Sequence, residues 1–480
     1  MLFRSSGSEY MFMSAIIGIL LGIMTYFLHP AYLPVAFGIL VLISLIASNS
    51  ETGVIVTIAA TPFLQYSDYA NEILLALVVV SALSYISKVI RRHRIVSLSS
   101  ESIYVLLFCF FLIASGIHSN GGSEAIKETI SAIVLIMGGF FLTYNLIKGK
   151  SRLEVCTKIL LVSYAVICLF GIWNVFYNAI VEHNIYSIRE EVSPIFENNV
   201  IFIADDFSVF SALSVLLTPL LVGKIARAKS FKGRAFAIVL TTMSIITTCI
   251  YGTFEALVAI VLEIIVFSLL YSHKSLTAIL LISVPLIVLV VLYPYIERLL
   301  NLPDIWHAIR GILPLNDQSA AYRGSLFKSV LTLIADGNWS GIGVGETAFK
   351  STFQHYSNSV TAGLSSPGSL WLQVVCWGGA GGLVCFVLSV ITVAWKGLGY
   401  SVNLKKSSVR DNLIALVSGF IALLFFGGVS SIWIDNRVMY LFWVYAGLIA
   451  AYVRELRDED NRRDSVLHDS FSMKDIEIRN

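Results

Sequence analysis

The sequence predicts an all-α, polytopic helical membrane protein. Of its 480 residues, 57% are hydrophobic and only 13% are charged, and the mean hydropathy is +0.81. A water-soluble domain could not bury so much apolar surface. Apolar segments long enough to cross a bilayer as helices recur from end to end. The alternating segments of roughly ten residues that form membrane β-barrels do not occur.

We count about fourteen spans, since each helical span needs about 20 apolar residues. They occupy residues 11–28, 33–47, 52–65, 70–87, 102–118, 126–147, 153–177, 200–223, 235–252, 255–271, 276–293, 369–395, 411–430 and 438–453. The first span lacks a cleavage-site pattern and is expected to be retained rather than removed as a signal peptide. One polytopic domain is therefore predicted over residues 1–453, followed by a charged cytoplasmic tail over residues 454–480.

The distribution of basic residues predicts the orientation. If the N-terminus is cytoplasmic and the spans alternate, most of the 33 Lys and Arg residues lie on the cytoplasmic side, as the positive-inside rule requires. A shift by one span would destroy this segregation. We therefore expect both termini in the cytoplasm and the protein in the inner (cytoplasmic) membrane.

A large external loop is predicted between the eleventh and twelfth spans. It has roughly 70 residues, numbered 294–366, and connections of that length are usually functional or disordered. Residues 322–334 have apolar side chains at helical spacing, which predicts an external amphipathic helix beginning near Arg323. Turn residues starting at Asp336 end it. The glycine-rich segment 340–345 follows, and it permits close backbone approach.

Several function classes lack their usual sequence signals. There is no phosphate loop of an ATP-driven pump and no metal-binding pattern such as HExxH, so neither cofactor nor metal is predicted, and no nucleic-acid partner either. Few spans before the large loop have a charged residue at their centre, which disfavours a proton-coupled transporter. The six cysteines lie in or beside apolar spans and are predicted to be small buried hydrophobes.

Polar residues gather instead on the predicted external side. The loop at about 178–199 contains Arg189 and precedes Asp205 and Asp206. These two carboxylates line a solvated vestibule, cap a helix or form the wall of a site. Glu255 either favours the dipole at a helix N-terminus or belongs to the same site.

The pattern of the loop and the next span resembles a known family. An Arg-led amphipathic helix from Arg323 precedes the glycine-rich turn over 338–349, and the next span opens with Trp371-Leu372-Gln373 and carries Gly379 and Gly382. In these features, over about residues 190–450, the chain resembles the O-antigen ligase/O-antigen polymerase superfamily of integral membrane glycosyltransferases. Residues 196–200 are similar to the family's entry to an earlier span, without its proline.

Two departures favour a polymerase over a ligase. Ligases have a His-Asn pair where this chain has Gly368-Ser369. They also have a Ser-Arg-Gly turn where this chain has Thr253-Phe254-Glu255.

The resemblance implies polymerisation of undecaprenyl diphosphate-linked oligosaccharide repeat units into a cell-surface polysaccharide or exopolysaccharide at the outer face of the membrane. Membrane lipids, a flippase and a chain-length regulator would be partners. Arginine stabilises a diphosphate leaving group bidentately. The candidates are Arg323 and Arg310, followed by Arg189 and Arg437; each could instead contact lipid headgroups. The candidates for a general base are His355, Asp336, Glu346 and Glu255.

Two alternatives remain open. A lipid-linked oligosaccharide flippase, or another polysaccharide transporter, would have a similar number of spans with short loops and charges inside the bundle. An O-antigen-type ligase is the second alternative.

Overall fold

The computed structural model describes residue 46 and residues 49–66, 69–91, 96–181, 207–228, 230–251, 254–271, 317–337, 339–357, 366–403, 407–433 and 435–477. Within these ranges all long regular elements are helices and there is no strand. The predicted all-α class is therefore confirmed for this part of the chain.

The helices follow in chain order, and the two longest gaps between described helices lie between α5 and α6 and between α8 and α9. They are α1 (Ser50–Ala60), α2 (Ala70–Ile90), α3 (Ser100–Ile117), α4 (Gly122–Leu146), α5 (Lys150–Val181), α6 (Phe207–Arg227), α7 (Phe231–Tyr251), α8 (Phe254–Tyr271), α9 (Asp317–Ala335), α10 (Gly345–Phe353), α11 (Leu370–Asn403), α12 (Ser408–Phe426) and α13 (Asn436–Glu477).

Helices occupy the predicted spans wherever these fall within the described ranges. Seven of the described helices are long and apolar enough to cross a membrane, namely α2, α3, α4, α6, α11, α12 and α13. The predicted spans 11–28 and 276–293, and 33–47 except for residue 46, lie outside the described residues. The count of about fourteen, each span needing about 20 apolar residues, stays a prediction.

The predicted amphipathic helix is present as α9. It begins at Asp317, earlier than Arg323, because the preceding residues include an acidic start and good helix formers. Its apolar side chains at Leu326, Val330 and Leu333 are buried, as the spacing predicted. At the other end of the chain, α13 continues unbroken from the membrane-length segment into the charged tail.

Helices α12 and α13 form the centre of the bundle. Of the most apolar stretch of each, 83% is buried in α12 and 94% in α13, against 28% in α2. Small residues let α13 approach α4 closely: a Cβ at Gly139 would lie 2.9 Å from the Tyr440 carbonyl oxygen. A π turn over Gly138–Leu142 surrounds this contact. The described cysteines Cys109, Cys156, Cys168, Cys376 and Cys385 are buried, as predicted.

The bundle has one end rich in basic residues. Here Lys396 pairs with Glu101 at 2.8 Å and Arg152 pairs with Glu51. Arg454 donates to the Tyr144 carbonyl at 2.6 Å. Because α11 and α13 begin far from these contacts, their first turns lie at the opposite end of the bundle. The described residues Arg152, Lys396 and Arg454, which were predicted to be cytoplasmic, thus share one end of the bundle.

Candidate functional site

A cleft of about 360 Å³ lies at the end opposite the basic residues. It lies between the first turns of α2, α4, α10, α11 and α13 and the residues just before them. We call it the polar cleft. Its polar and aromatic lining consists of Asn71, Lys127, Glu128, Ser131, Glu346, Ser366, Gln373, Trp377, Trp433 and Asn436.

The glycine-rich turn before α10 forms one wall of the polar cleft. Gly341, Gly343 and Gly345 have φ angles of 88°, 102° and 97°, a conformation that side chains rarely adopt. A Cβ at Gly341 would lie 2.6 Å from the Ser115 hydroxyl, and one at Gly343 would lie 2.6 Å from the Ser119 hydroxyl. The close backbone approach predicted from the sequence is therefore confirmed, and its target is the end of α3.

The same turn forms hydrogen bonds with the backbone groups that a break in α11 leaves without helical partners. Gly379 has φ 65° and ψ −166°, which interrupts the helix. The N–H of Ile342 donates to the Cys376 carbonyl at 2.7 Å, and the N–H of Ala380 donates to the Trp339 carbonyl at 3.0 Å. In a regular helix the N–H of residue 380 would donate to the carbonyl of residue 376. The two bonds to the turn take the place of this missing hydrogen bond. Irregular backbone at membrane depth is tolerated where such partners exist.

Glu128 attaches the start of α10 to α4. Its carboxylate accepts hydrogen bonds from the Thr347 hydroxyl at 2.9 Å and from the Thr347 N–H at 3.3 Å. A Cβ at Gly345 would collide with the Glu128 carboxylate, so only glycine leaves room for it. Glu128 thus both holds the start of α10 and lines the polar cleft.

Two tryptophans form the apolar part of the cleft. The rings of Trp377 and Trp433 lie 5.9 Å apart and are tilted by 31°. Trp433 also packs against Phe386 and Phe442, with ring centroids at 5.2 Å in both cases. This aromatic cluster fixes the cleft wall to the core of the bundle.

The cleft contains a buried acceptor and a buried donor that have no partner in the described structure. The Gln373 Oε1 atom and the Trp433 Nε1 atom lack hydrogen-bond partners, and the two residues are only 2% and 1% exposed. Buried polar groups are normally satisfied, so each such group calls for an explanation. The Gln373 Oε1 atom can only accept a hydrogen bond, and the Trp433 Nε1 atom can only donate one.

Arg437 lies beside the cleft, next to Asn436 of its lining. The side chain is 7% exposed, and its Nε atom donates to both carboxylate oxygens of Asp435, at 2.9 and 3.0 Å. Its Nη2 atom also contacts this carboxylate. Asp435 therefore fixes the orientation of the Arg437 guanidinium before any ligand binds.

Of the four predicted general bases, Glu346 lines the polar cleft. Its carboxylate pairs with Lys350 one turn later. His355 and Asp336 are exposed, in the turns that follow α10 and α9, and the described cleft lining does not include them. Glu255 is half-buried in the first turn of α8, where a carboxylate favours the helix dipole.

The predicted diphosphate ligands are only partly described. Arg437 lies beside the cleft, as stated above. Arg323 lies in α9, but its side chain lies outside the described part of the chain, as do Arg310 and Arg189. The carboxylates Asp205 and Asp206 also lie outside it. The roles of these residues stay predictions.

Sequence reasoning missed most of the cleft lining. Glu128 lies in α4, whereas Trp433 and Asn436 lie just before and at the start of α13, and only the packing of these two helices brings them together. One signal was present: Gln373 and Trp377 are four residues apart, so they share a face of α11. A second missed residue, Glu263, lies buried in the middle of α8, away from the cleft.

Gly368 and Ser369, where the resemblance led us to compare a ligase His-Asn pair, lie immediately before helix α11. Gly368 has a φ of 80°, and a Cβ there would lie 2.6 Å from a Leu326 methyl group of α9. The Ser369 hydroxyl accepts from the Leu372 N–H at 3.3 Å and caps α11. At position 368 a larger side chain would collide with Leu326, and at position 369 the side chain serves as the helix cap.

The fold and the site define an all-α, membrane-embedded helical protein with a polar and aromatic cleft at one end of its bundle. In comparisons with known proteins, no family model matches the chain. No curated protein matches it either.

Proposed function

We propose that this protein is a membrane glycosyltransferase that polymerises undecaprenyl diphosphate-linked oligosaccharide repeat units into a cell-surface polysaccharide or exopolysaccharide. The observation that carries the proposal is the polar cleft. It combines two tryptophan rings with an unpaired acceptor, Gln373 Oε1, and an unpaired donor, Trp433 Nε1. Sites for small polar ligands are typically apolar and aromatic with a few polar groups that fix orientation. A sugar presents both a face for the rings and hydroxyls for the unpaired atoms.

The charges around the cleft suit glycosyl transfer. The acceptor hydroxyl attacks the anomeric carbon of the donor, the bond to the diphosphate breaks, and the lipid diphosphate leaves. Glu346 is the general base that takes the hydroxyl proton, because it alone of the four candidates is in the described lining. Arg437, with the loop residues Arg323, Arg310 and Arg189, stabilises the charge on the departing diphosphate.

The same proposal assigns the membrane topology. The chain has about fourteen spans of about 20 residues each, with the large loop between the eleventh and twelfth. Both termini and the basic end of the bundle face the cytoplasm, and the polar cleft faces the outer side of the cytoplasmic membrane. A lipid-linked donor would then reach the cleft from the outer leaflet.

Polymerase activity is favoured over ligase activity. At the ligase His-Asn position, Gly368 is in a left-handed conformation against Leu326, and Ser369 caps α11. A base at that position would require a different local backbone.

A transporter of lipid-linked oligosaccharides is the second candidate, and Glu263 is the observation that favours it. A carboxyl group buried at mid-membrane is common in transporters, and Glu263 is 0% exposed. The presence of Glu263 weakens the argument against a transporter, which was that few spans before the large loop have a charged residue at their centre.

Substitutions in cells that make the polymer separate the two candidates. The variants are Glu346→Gln, Arg323→Ala and Arg310→Ala, and the measurement is the length and the membrane face of lipid-linked glycans. A polymerase predicts single repeat units that accumulate on the lipid at the outer face. Repeat units retained at the inner face would instead favour the transporter, and unchanged chain length would refute the assigned roles.

Lys350→Gln is the matched control for Glu346→Gln. It removes the same ion pair but keeps the carboxylate in the cleft. We expect polymer of normal length from this variant. Short polymer from both variants would mean that the ion pair, and not the base, matters.

A further inference from the structure

The middle of α8 holds a carboxyl group far from both ends of the helix. Glu263 is 0% exposed in an otherwise apolar helix. At 1.5 Å per residue it lies about 13 Å along the axis from the first residue of α8. Neither bulk water nor lipid headgroups reach such a position.

Within the part of the chain that the structure describes, neither carboxyl oxygen of Glu263 has a hydrogen-bond partner. Helix α8 packs mainly against α6, α7 and α12, and the described basic residues of these helices lie towards the basic end. The best placed is Arg410 of α12, which donates to the Ser401 carbonyl at 2.8 Å and to the Leu270 carbonyl at 3.0 Å. Leu270 lies about 10 Å along α8 from Glu263. The Arg410 guanidinium therefore bonds to these two carbonyl groups near the basic end and does not pair with Glu263.

Tyr445 of α13 lies in the same buried region of the bundle as Glu263. The Tyr445 hydroxyl donates its proton to the Leu216 carbonyl at 2.6 Å. Pro219 removes a helix N–H in the same turn of α6. The Tyr445 hydroxyl has used its proton and makes no hydrogen bond to Glu263, so it does not stabilise an anionic carboxylate there. This arrangement suits a neutral carboxylic acid and not an anion.

A second group of hydroxyls lies deeper in the same region. The Tyr164 hydroxyl lies 2.6 Å from the Ser244 hydroxyl, which lies 3.0 Å from that of Thr218. These groups satisfy one another and bring no positive charge to α8. An unpaired carboxylate in such surroundings would cost several kcal/mol or more.

We propose that Glu263 is a proton-binding site in the interior of the bundle, where it holds a proton as a neutral carboxylic acid. The ligand is the proton itself, because a metal cation would need several oxygen ligands. The inference stands apart from the polar cleft and from the proposed glycosyl transfer.

Infrared difference spectroscopy of the full chain in lipid vesicles tests the proposal directly. The spectrum of Glu263→Gln is subtracted from that of the wild type at neutral pH. We expect loss of one carbonyl stretching band of a neutral carboxylic acid. Loss of a carboxylate band instead would overturn the proposal. Glu101→Gln is the matched control and should lose a carboxylate band, because Glu101 is buried but pairs with Lys396 at 2.8 Å.

Labelling of the wild type covers the case in which Glu263→Gln does not assemble. Dicyclohexylcarbodiimide enters membranes and adds to protonated carboxyl groups, and mass spectrometry locates the adduct. We expect Glu263 to be labelled roughly tenfold or more above Glu101, since burial without a partner favours the neutral acid. Labelling of Glu263 no greater than that of Glu101 would contradict a bound proton.

Discussion

The N–H of Ile342 donates a 2.7 Å hydrogen bond to the carbonyl of Cys376, a helical carbonyl that the break at Gly379 deprives of its usual donor. The glycine-rich turn is therefore part of the hydrogen bonding of a membrane helix. It connects the large predicted loop to the bundle and places one wall of the polar cleft. Four predictions follow from this arrangement and from the groups around the cleft.

Gly379→Ala should destabilise the protein by about 1–3 kcal/mol, because a side chain is strained at this conformation. Its Cβ would also collide with the Trp339 carbonyl. Thermal unfolding in detergent measures the effect. Gly399→Ala in the same helix is the control: open space surrounds that position, and alanine should stabilise the helix by up to ~1 kcal/mol. Equal effects of both changes would mean that the break is not specific to Gly379.

Thr347→Val should cost about 1.5–3 kcal/mol, the usual range for a hydrogen bond to a charged group. The change removes the 2.9 Å bond from the Thr347 hydroxyl to Glu128 but keeps the shape of the side chain. Thr332→Val serves as the reference, because its exposed hydroxyl bonds only within α9 and the loss should stay within about 0.5 kcal/mol. Urea titration of both variants would show whether Glu128 holds the turn.

Gln373→Leu should leave stability unchanged or slightly higher while activity falls at least about tenfold. The Gln373 Oε1 atom has no partner in the described structure, so its removal loses no hydrogen bond within the protein and relieves an unpaired buried group. A ligand hydroxyl would lose its acceptor. Gln354→Leu, at an exposed position outside the described cleft lining, should change neither quantity. A large loss of stability in Gln373→Leu would indicate a structural role instead.

Asp435→Ala should destabilise the protein by about 3–5 kcal/mol, because it leaves the buried guanidinium of Arg437 without its counterion. The double variant Asp435→Ala with Arg437→Met should recover most of this loss, since it removes both charges. Chemical unfolding of the two variants and of Arg437→Met alone completes a double-mutant cycle. Equal stability of the single and double variants would show that the ion pair contributes little.

The predictable part of this molecule is the part governed by local pattern. Helices occur at the predicted spans because apolar runs in a bilayer have to satisfy their own backbone groups. The helix before the glycine-rich turn was predicted from the spacing of Leu326, Val330 and Leu333, which are buried. Its start was less predictable, because the residues before Arg323 are helix formers without an apolar pattern.

The candidate site was less accessible to sequence reasoning. Glu346 was chosen as a polar residue of the loop, and it lines the cleft, whereas His355 and Asp336 had the same polarity and are exposed elsewhere. Residue type alone could not separate them, because the separation depends on where α10 docks on α4. Glu263 was passed over for the related reason that one acidic residue hardly changes the hydropathy of its span.

By itself, the sequence determined the all-α membrane class of the protein, the positions of the described spans and a glycine-rich turn before α10 that permits close backbone approach. These follow from bilayer thickness, hydropathy and backbone sterics, which act over short stretches of chain. Only the tertiary structure decided that Glu128, Gln373 and Trp433 share one cleft, and that Ile342 and Trp339 complete a broken helix. Such contacts join segments far apart in the chain, and their geometry depends on how the whole bundle packs.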